Sequence, residues 1–122
     1  MKFKDLPALG ADLEGGTFEG LTTRKDGTHC AVILLQYQVE GLTWTEAKAV
    51  AKNLGGELPS RPVAAMLFAN VKDKLKPRWH WTGDEHNASF AWLCGFGFGG
   101  QNFYHKSFEG SAVAVLLIPL EE

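Results

Sequence analysis

A chain of 122 residues with 45% apolar and 21% charged residues has the size of one domain and a folded rather than a disordered composition. Surface scaling gives about 6,500 Å² exposed after folding, about a third of the unfolded surface, so one hydrophobic core suffices without staples or metals. Twelve basic against fourteen acidic residues, a formal net charge of −2, exclude a basic nucleic-acid footprint, and no apolar run nears the ~18 residues of a membrane-spanning helix.

The opening Met1-Lys2-Phe3-Lys4-Asp5 has no apolar h-region, which predicts no secretory leader and a reducing cytoplasm. Residues 1–16 read as an irregular N-terminal arm, and residues 17–122 as a single domain. Thr17 to Thr23 is Thr-rich and partly alternating, as a strand is. Asp26-Gly27 is a hairpin signal, and His29 to Tyr37 is a second strand, apolar enough to be covered on both faces. Thr43-Trp44-Thr45-Glu46 is a capping box, and Trp44, Ala47, Ala51 and Leu54 then share one helix face. Gly55-Gly56 stops that helix. Ser60 is the N-cap of a second helix, with Pro62 in its first turn and a buried stripe of Val63, Met66, Leu67, Val71 and Leu75. Lys72, Lys74 and Lys76 fall at its negative pole, and Pro77 ends it.

The rest is β-like. Trp79 to Thr82 is a strand, Gly83 to Asn87 a polar loop and Phe90 to Cys94 another strand. Gly95-Phe96-Gly97-Phe98-Gly99-Gly100 is a glycine-dense turn, Phe103 to Lys106 a short strand and Gly110-Ser111 a turn. Ala112 to Leu120 is a continuous apolar run and predicts a central strand. Segregated helices and strands imply an α+β class.

Two stretches together resemble a family. Leu42-Thr43-Trp44-Thr45-Glu46-Ala47-Lys48 leads to Leu54-Gly55-Gly56-Glu57-Leu58-Pro59-Ser60-Arg61, and Trp79-His80-Trp81-Thr82-Gly83-Asp84-Glu85 is followed by Ala91-Trp92. This pattern is similar to the bacterial and phage domain family of unknown function that also forms the C-terminal domain of collagen-like (Lcl-type) adhesins. The resemblance spans roughly residues 15–120 and implies a C-type-lectin-like fold: two helices flank small antiparallel sheets, the terminal strands pair, and a long loop region presents ligands. It implies a non-enzymatic binding scaffold rather than one activity. The sequence departs from the family near its end. The glycine–phenylalanine turn replaces an acidic one, and the last strand carries none of the arginines usual in relatives. A basic ligand-facing edge therefore does not transfer.

Each candidate chemistry has a plainer counterpart. His80, His86 and Cys94, with the pair His29-Cys30, are metal-type donors, but no Cys-x-x-Cys or His-x-x-x-His spacing gathers them. Asp84, Glu85 and Asn87 offer too few oxygens for calcium and read as a solvated loop. No metal or cofactor is expected. Cys30 and Cys94 read as buried thiols, with a single inter-strand bridge as the alternative. Formylglycine-generating enzymes share the fold by resemblance, and this cysteine pair does not match theirs. Gly97-x-Gly99 precedes no helix and is no nucleotide loop. Trp44 reads as core. Trp79, Trp81 and Trp92 read as core, with sugar stacking as the alternative. His80 alternates with Trp79 and Trp81, which places it on the opposite face. The expected ligand surface is that face with Asp84, Glu85, His86, Gln101, Asn102, Tyr104 and His105. Phe96 and Phe98 read as structurally buried rings, with a place on that surface as aromatic anchors as the alternative. The expected partner is a protein, contacted through residues 83–88 and 95–105. It would be met by a phage or prophage accessory protein in the host cytoplasm or on the virion. A surface glycan and a host defence complex are the alternative targets, and an open sheet edge would permit a homodimer.

Overall fold

The two longest apolar runs lie side by side at the centre of the molecule. His29–Leu42 (β3) and Gly110–Pro119 (β7) pair antiparallel, Ile33 facing Leu116 and Leu34 facing Val115. Around them lie Asp12–Leu13 (β1), Gly16–Thr23 (β2), Trp79–Glu85 (β4), Phe90–Gly95 (β5) and Gln101–His105 (β6). In this computed structural model, which describes residues 1–121 with the side chains of Gln36 and Lys72 outside the description, the strands form one sheet in the order β1-β2-β3-β7-β4-β5-β6. Glu122, the last residue of the expected domain, lies outside the described residues. Every pairing is antiparallel except β4 with β7, which meet in one parallel bridge between His80 and Ser111.

Helices Trp44–Asn53 (α1) and Arg61–Val71 (α2) cover opposite faces of the sheet. Successive residues on a strand point to opposite sides. On β7, Val113 and Val115 pack with Val63, Leu67 and Val71 of α2, while Ala112 and Ala114 pack with Trp44, Ala47 and Ala51 of α1. Beyond α1, Leu6 and Leu13 close the same face over Ala31 and Ile33. Coverage on both sides explains why β3 and β7 do not alternate in polarity. The exposed area is 6698 Å², close to the value that scaling predicts for one core.

The class is α+β, as the segregation of elements predicted. The capping box forms in full: the Thr43 hydroxyl accepts from the Glu46 amide, and the Glu46 carboxylate accepts from the Thr43 amide. Ser60 Oγ accepts from the Val63 amide at 3.3 Å, as an N-cap does. Several boundaries move. The sheet is a single mixed one rather than small antiparallel sheets. The arm is not separate, because β1 pairs with β2 and the Glu121 amide donates to the Met1 carbonyl. α2 stops at Val71 and Lys72–Lys74 form a 3-10 turn, after which Leu75 still reaches the core. Residues 83–85 extend β4 instead of looping, and Gly110-Ser111 begin β7 instead of turning.

Candidate binding surface

β6 is the last strand of the sheet, and residues 102–105 on it are exposed. Register sorts the side chains around it. Trp92 pairs with Phe103, Phe90 with His105 and Cys94 with Gln101, so these share the α2 face. Trp79 pairs with Gly95 and Trp81 with Leu93, which in turn faces Asn102, so these and Tyr104 share the α1 face. Only Gln101, at the start of β6, meets a helix, through Arg61 of α2; residues 102–105 are left uncovered, and rings accumulate on both sides of the strand.

On the α2 face the rings contact one another. His86 lies flat on Phe103, centroids 3.9 Å apart, and edge-on to Trp92. Phe90 packs against Phe103 and His105. The Arg61 guanidinium lies 3.5 Å above the Trp92 ring. Its Nε donates to Gln101 Oε1 at 2.9 Å, and Gln101 Nε2 donates back to the Arg61 carbonyl at 2.8 Å. On the α1 face, Trp79, Leu93, Asn102, Phe103, Tyr104 and Phe108 line a cleft of about 270 Å³. Phe98, 65% exposed, stands edge-on to Trp79 at its margin. The glycines of this turn let the ring lie against the main chain: a Cβ on Gly95 would stand 2.6 Å from it, and one on Gly100 closer still.

Two of the ten candidate surface residues are inside. His80 is 1% exposed and Phe96 2%. His80 does lie opposite Trp81, but α2 and the Phe96 ring cover that side as fully as α1 covers the other. Phe96 enters the α2-side core, so only Phe98 of the pair faces solvent. The acidic candidates are engaged in the protein itself. Asp84 Oδ2 accepts from the Arg61 amide at 2.7 Å and closes the start of α2. Glu85 pairs with Lys106, whose ammonium holds its carboxyl below the usual range. Asn87 Oδ1 accepts from the Ser89 and Phe90 amides. His86, Gln101, Asn102, Tyr104, His105 and Phe98 remain at the surface, on two faces rather than one. Of the tryptophans, Trp44 and Trp81 are core, Trp92 is half-buried and Trp79 is exposed at the cleft.

Asp84, Glu85 and Asn87 are thus each bonded to separate groups, and among the described residues no three His, Cys, Asp or Glu side chains gather as a metal set. Cys30 and Cys94 are buried free thiols, and burial pushes the Cys94 thiol up. The sequence reading missed Arg61, Phe103 and Phe108. A signal for Arg61 was available: α2 contains no acidic residue to neutralise it. No protein-family model matches this chain, and no curated protein matches it.

Proposed function

We propose that this chain is a non-enzymatic binding module that recognises a protein partner through the aromatic surface of β5 and β6. The observation that carries the reading is the exposure of rings on both faces of an edge strand, with Phe103 38% and Tyr104 53% exposed and Phe98 standing beside them. Interfaces are enriched in aromatic anchors, and an exposed cluster of rings on a soluble domain marks a contact surface. His80 and Cys94, the side chains an active site would have drawn on, are both buried and engaged in packing.

The finer fold belongs to the same proposal. A C-type-lectin-like reading is supported by the helices on opposite faces and by the meeting of the chain ends, where Lys2 bridges Glu121. The long ligand loop of that fold has shrunk here to short hairpins, which moves recognition onto the strands. A phage or prophage origin rests on the motif resemblance and would make the partner a bacterial host component, a defence complex included, met in the host cytoplasm or at the virion.

A glycan is the second reading, favoured by one detail. The buried Trp44 and Trp81 donate their indole N–H groups to the Thr82 and Leu42 carbonyls, whereas the Trp79 indole and the Tyr104 hydroxyl make no hydrogen bond among the described residues. Affinity capture from a bacterial lysate, run beside a glycan array, separates the two. The expected result is one retained protein, lost with Phe103→Ser while circular dichroism and Tm are kept. Array binding lost with Tyr104→Ala would instead select the glycan. Capture unchanged by Phe103→Ser, Phe98→Ala and Tyr104→Ala would remove the surface from consideration.

A further inference from the structure

The chain has three arginines. Arg24 pairs with Glu57 and Arg78 with Glu40, but Arg61 has no carboxylate within ion-pair distance among the described residues. It is nonetheless held in place from several sides. Trp92 supports its plane, Gln101 takes its Nε–H, and its position is fixed at the first residue of α2. The two terminal nitrogens, with four N–H donors in a planar fork, are left without a partner. Lys25, likewise unpaired among the described residues, lines the same shallow groove with Asp84, Glu85, Trp92 and Gln101. Asp84 and Glu85 carry charge there too, but the first is bonded to the Arg61 amide and the second to Lys106.

We infer that Arg61 is a pre-organised receptor for a carboxylate, and that the partner presents an acidic side chain next to an apolar or aromatic one. The carboxylate takes the guanidinium fork, a geometry that lysine cannot reproduce. The neighbouring side chain lies on the Trp92, Phe103 and His86 rings that continue the groove. A cation already stacked and bonded in place loses little freedom on binding, which favours its use as an anchor. Long polyanions fit poorly, because among the described residues only two free cations line the groove, two carboxylates share it, and the chain is net negative. The inference rests on the protein-binding reading above and specifies the chemistry of its partner.

The test uses nuclear magnetic resonance of the full chain. The probes are a capped Glu-Phe-Glu-Glu peptide, its Gln-Phe-Gln-Gln counterpart, inorganic sulfate and a sulfated disaccharide. The expected result is saturable shifts of the Arg61 Nε–H and the Trp92 indole with the glutamate peptide, weakened by added salt. Binding should fall about ten- to a hundredfold with Arg61→Gln and partly with Arg61→Lys, the worth of one charge-assisted hydrogen bond. Amide spectra of both variants report whether the fold is kept. If the glutamine peptide binds equally, the Arg61 inference falls while the aromatic surface stands. Tighter binding of the sulfated disaccharide than of the glutamate peptide overturns the inference in favour of an anionic glycan. Should no probe shift these signals, the carboxylate receptor is refuted, and the surface is judged by lysate capture alone.

Discussion

His80 is held as one tautomer. Its Nδ1 lies 2.9 Å from the Arg78 carbonyl, which can only accept, so Nδ1 carries the proton. Nε2 is then an acceptor and takes an N–H from Gln38 Nε2 at 3.1 Å. Burial pushes the ring's pKa below the ordinary value and the Arg78 guanidinium adds to this, while the Arg78 carbonyl and Glu40 oppose it. The sign follows from proton counts. Below about pH 6.5 the unfolded imidazole takes a proton while the folded one does not, so the unfolded state binds more. Stability from this residue is complete above about pH 6.5 and is lost as pH falls through the folded pKa, by at most about 1.4 kcal/mol per pH unit for one proton. His80→Gln removes that dependence. In denaturant melts at a series of pH values, the wild-type advantage over the variant should shrink between pH 7.5 and 5, and parallel curves would refute the assignment. Alternation along β4 already put His80 opposite Trp81. What alternation does not carry is whether a face is covered, since that depends on α2 arriving from elsewhere in the chain. The same limit explains Phe96 and Phe98, where the glycine-dense turn left burial and exposure both open and only packing decided which ring entered.

At the scale of the element, legibility tracks how local the stabilising contacts are. The Thr43–Glu46 box, the Ser60 cap and the Asp26-Gly27 hairpin, where the Asp26 side chain accepts from the Thr28 amide, rest on contacts within a few residues, and the box, the cap and the hairpin were readable. The polar end of β4 was not. Gly83 donates to the Pro59 carbonyl at 2.9 Å, and Asp84 is held by the Arg61 amide, both contributed by the distant α1–α2 connection and the start of α2. The cap also gives a prediction. Thr43→Ala removes the acceptor for the Glu46 amide at the start of α1 and loosens the return bond from Glu46, which should cost about 1 kcal/mol. A fall in Tm of roughly 4 °C is expected, with the sheet signal in circular dichroism unchanged. A variant as stable as the wild type would show that packing of Trp44, not the cap, fixes the start of α1.

At the scale of the molecule, the sheet has a seam. One parallel backbone bridge joins β1-β2-β3-β7 to β4-β5-β6, and by that measure the second half could melt alone. Side chains cross the seam where the backbone does not. The α2-side cluster joins Val32 and Val113 to Cys94 and Phe96, and the α1-side cluster joins Ala112 and Ala114 to Trp81 and Leu93. Trp81 Nε1 donates to the Leu42 carbonyl at 2.8 Å, and His80 meets Gln38, both links running from β4 to β3. These cores lose their burial together if the halves part, so urea unfolding should follow one transition by tryptophan fluorescence and by far-ultraviolet circular dichroism. Hydrogen exchange should still be graded within that unit. β3 and β7, covered on both faces, open only globally, whereas β6 has a single neighbouring strand and exposed residues from 102 to 105 and opens locally. That order suits a contact surface, because the strand carrying the exposed rings can adjust to a partner without disturbing the core. If β4, β5 and β6 exchange as fast as one another while β3 stays protected, the seam governs the molecule, and the side-chain links across it are weaker than their geometry implies.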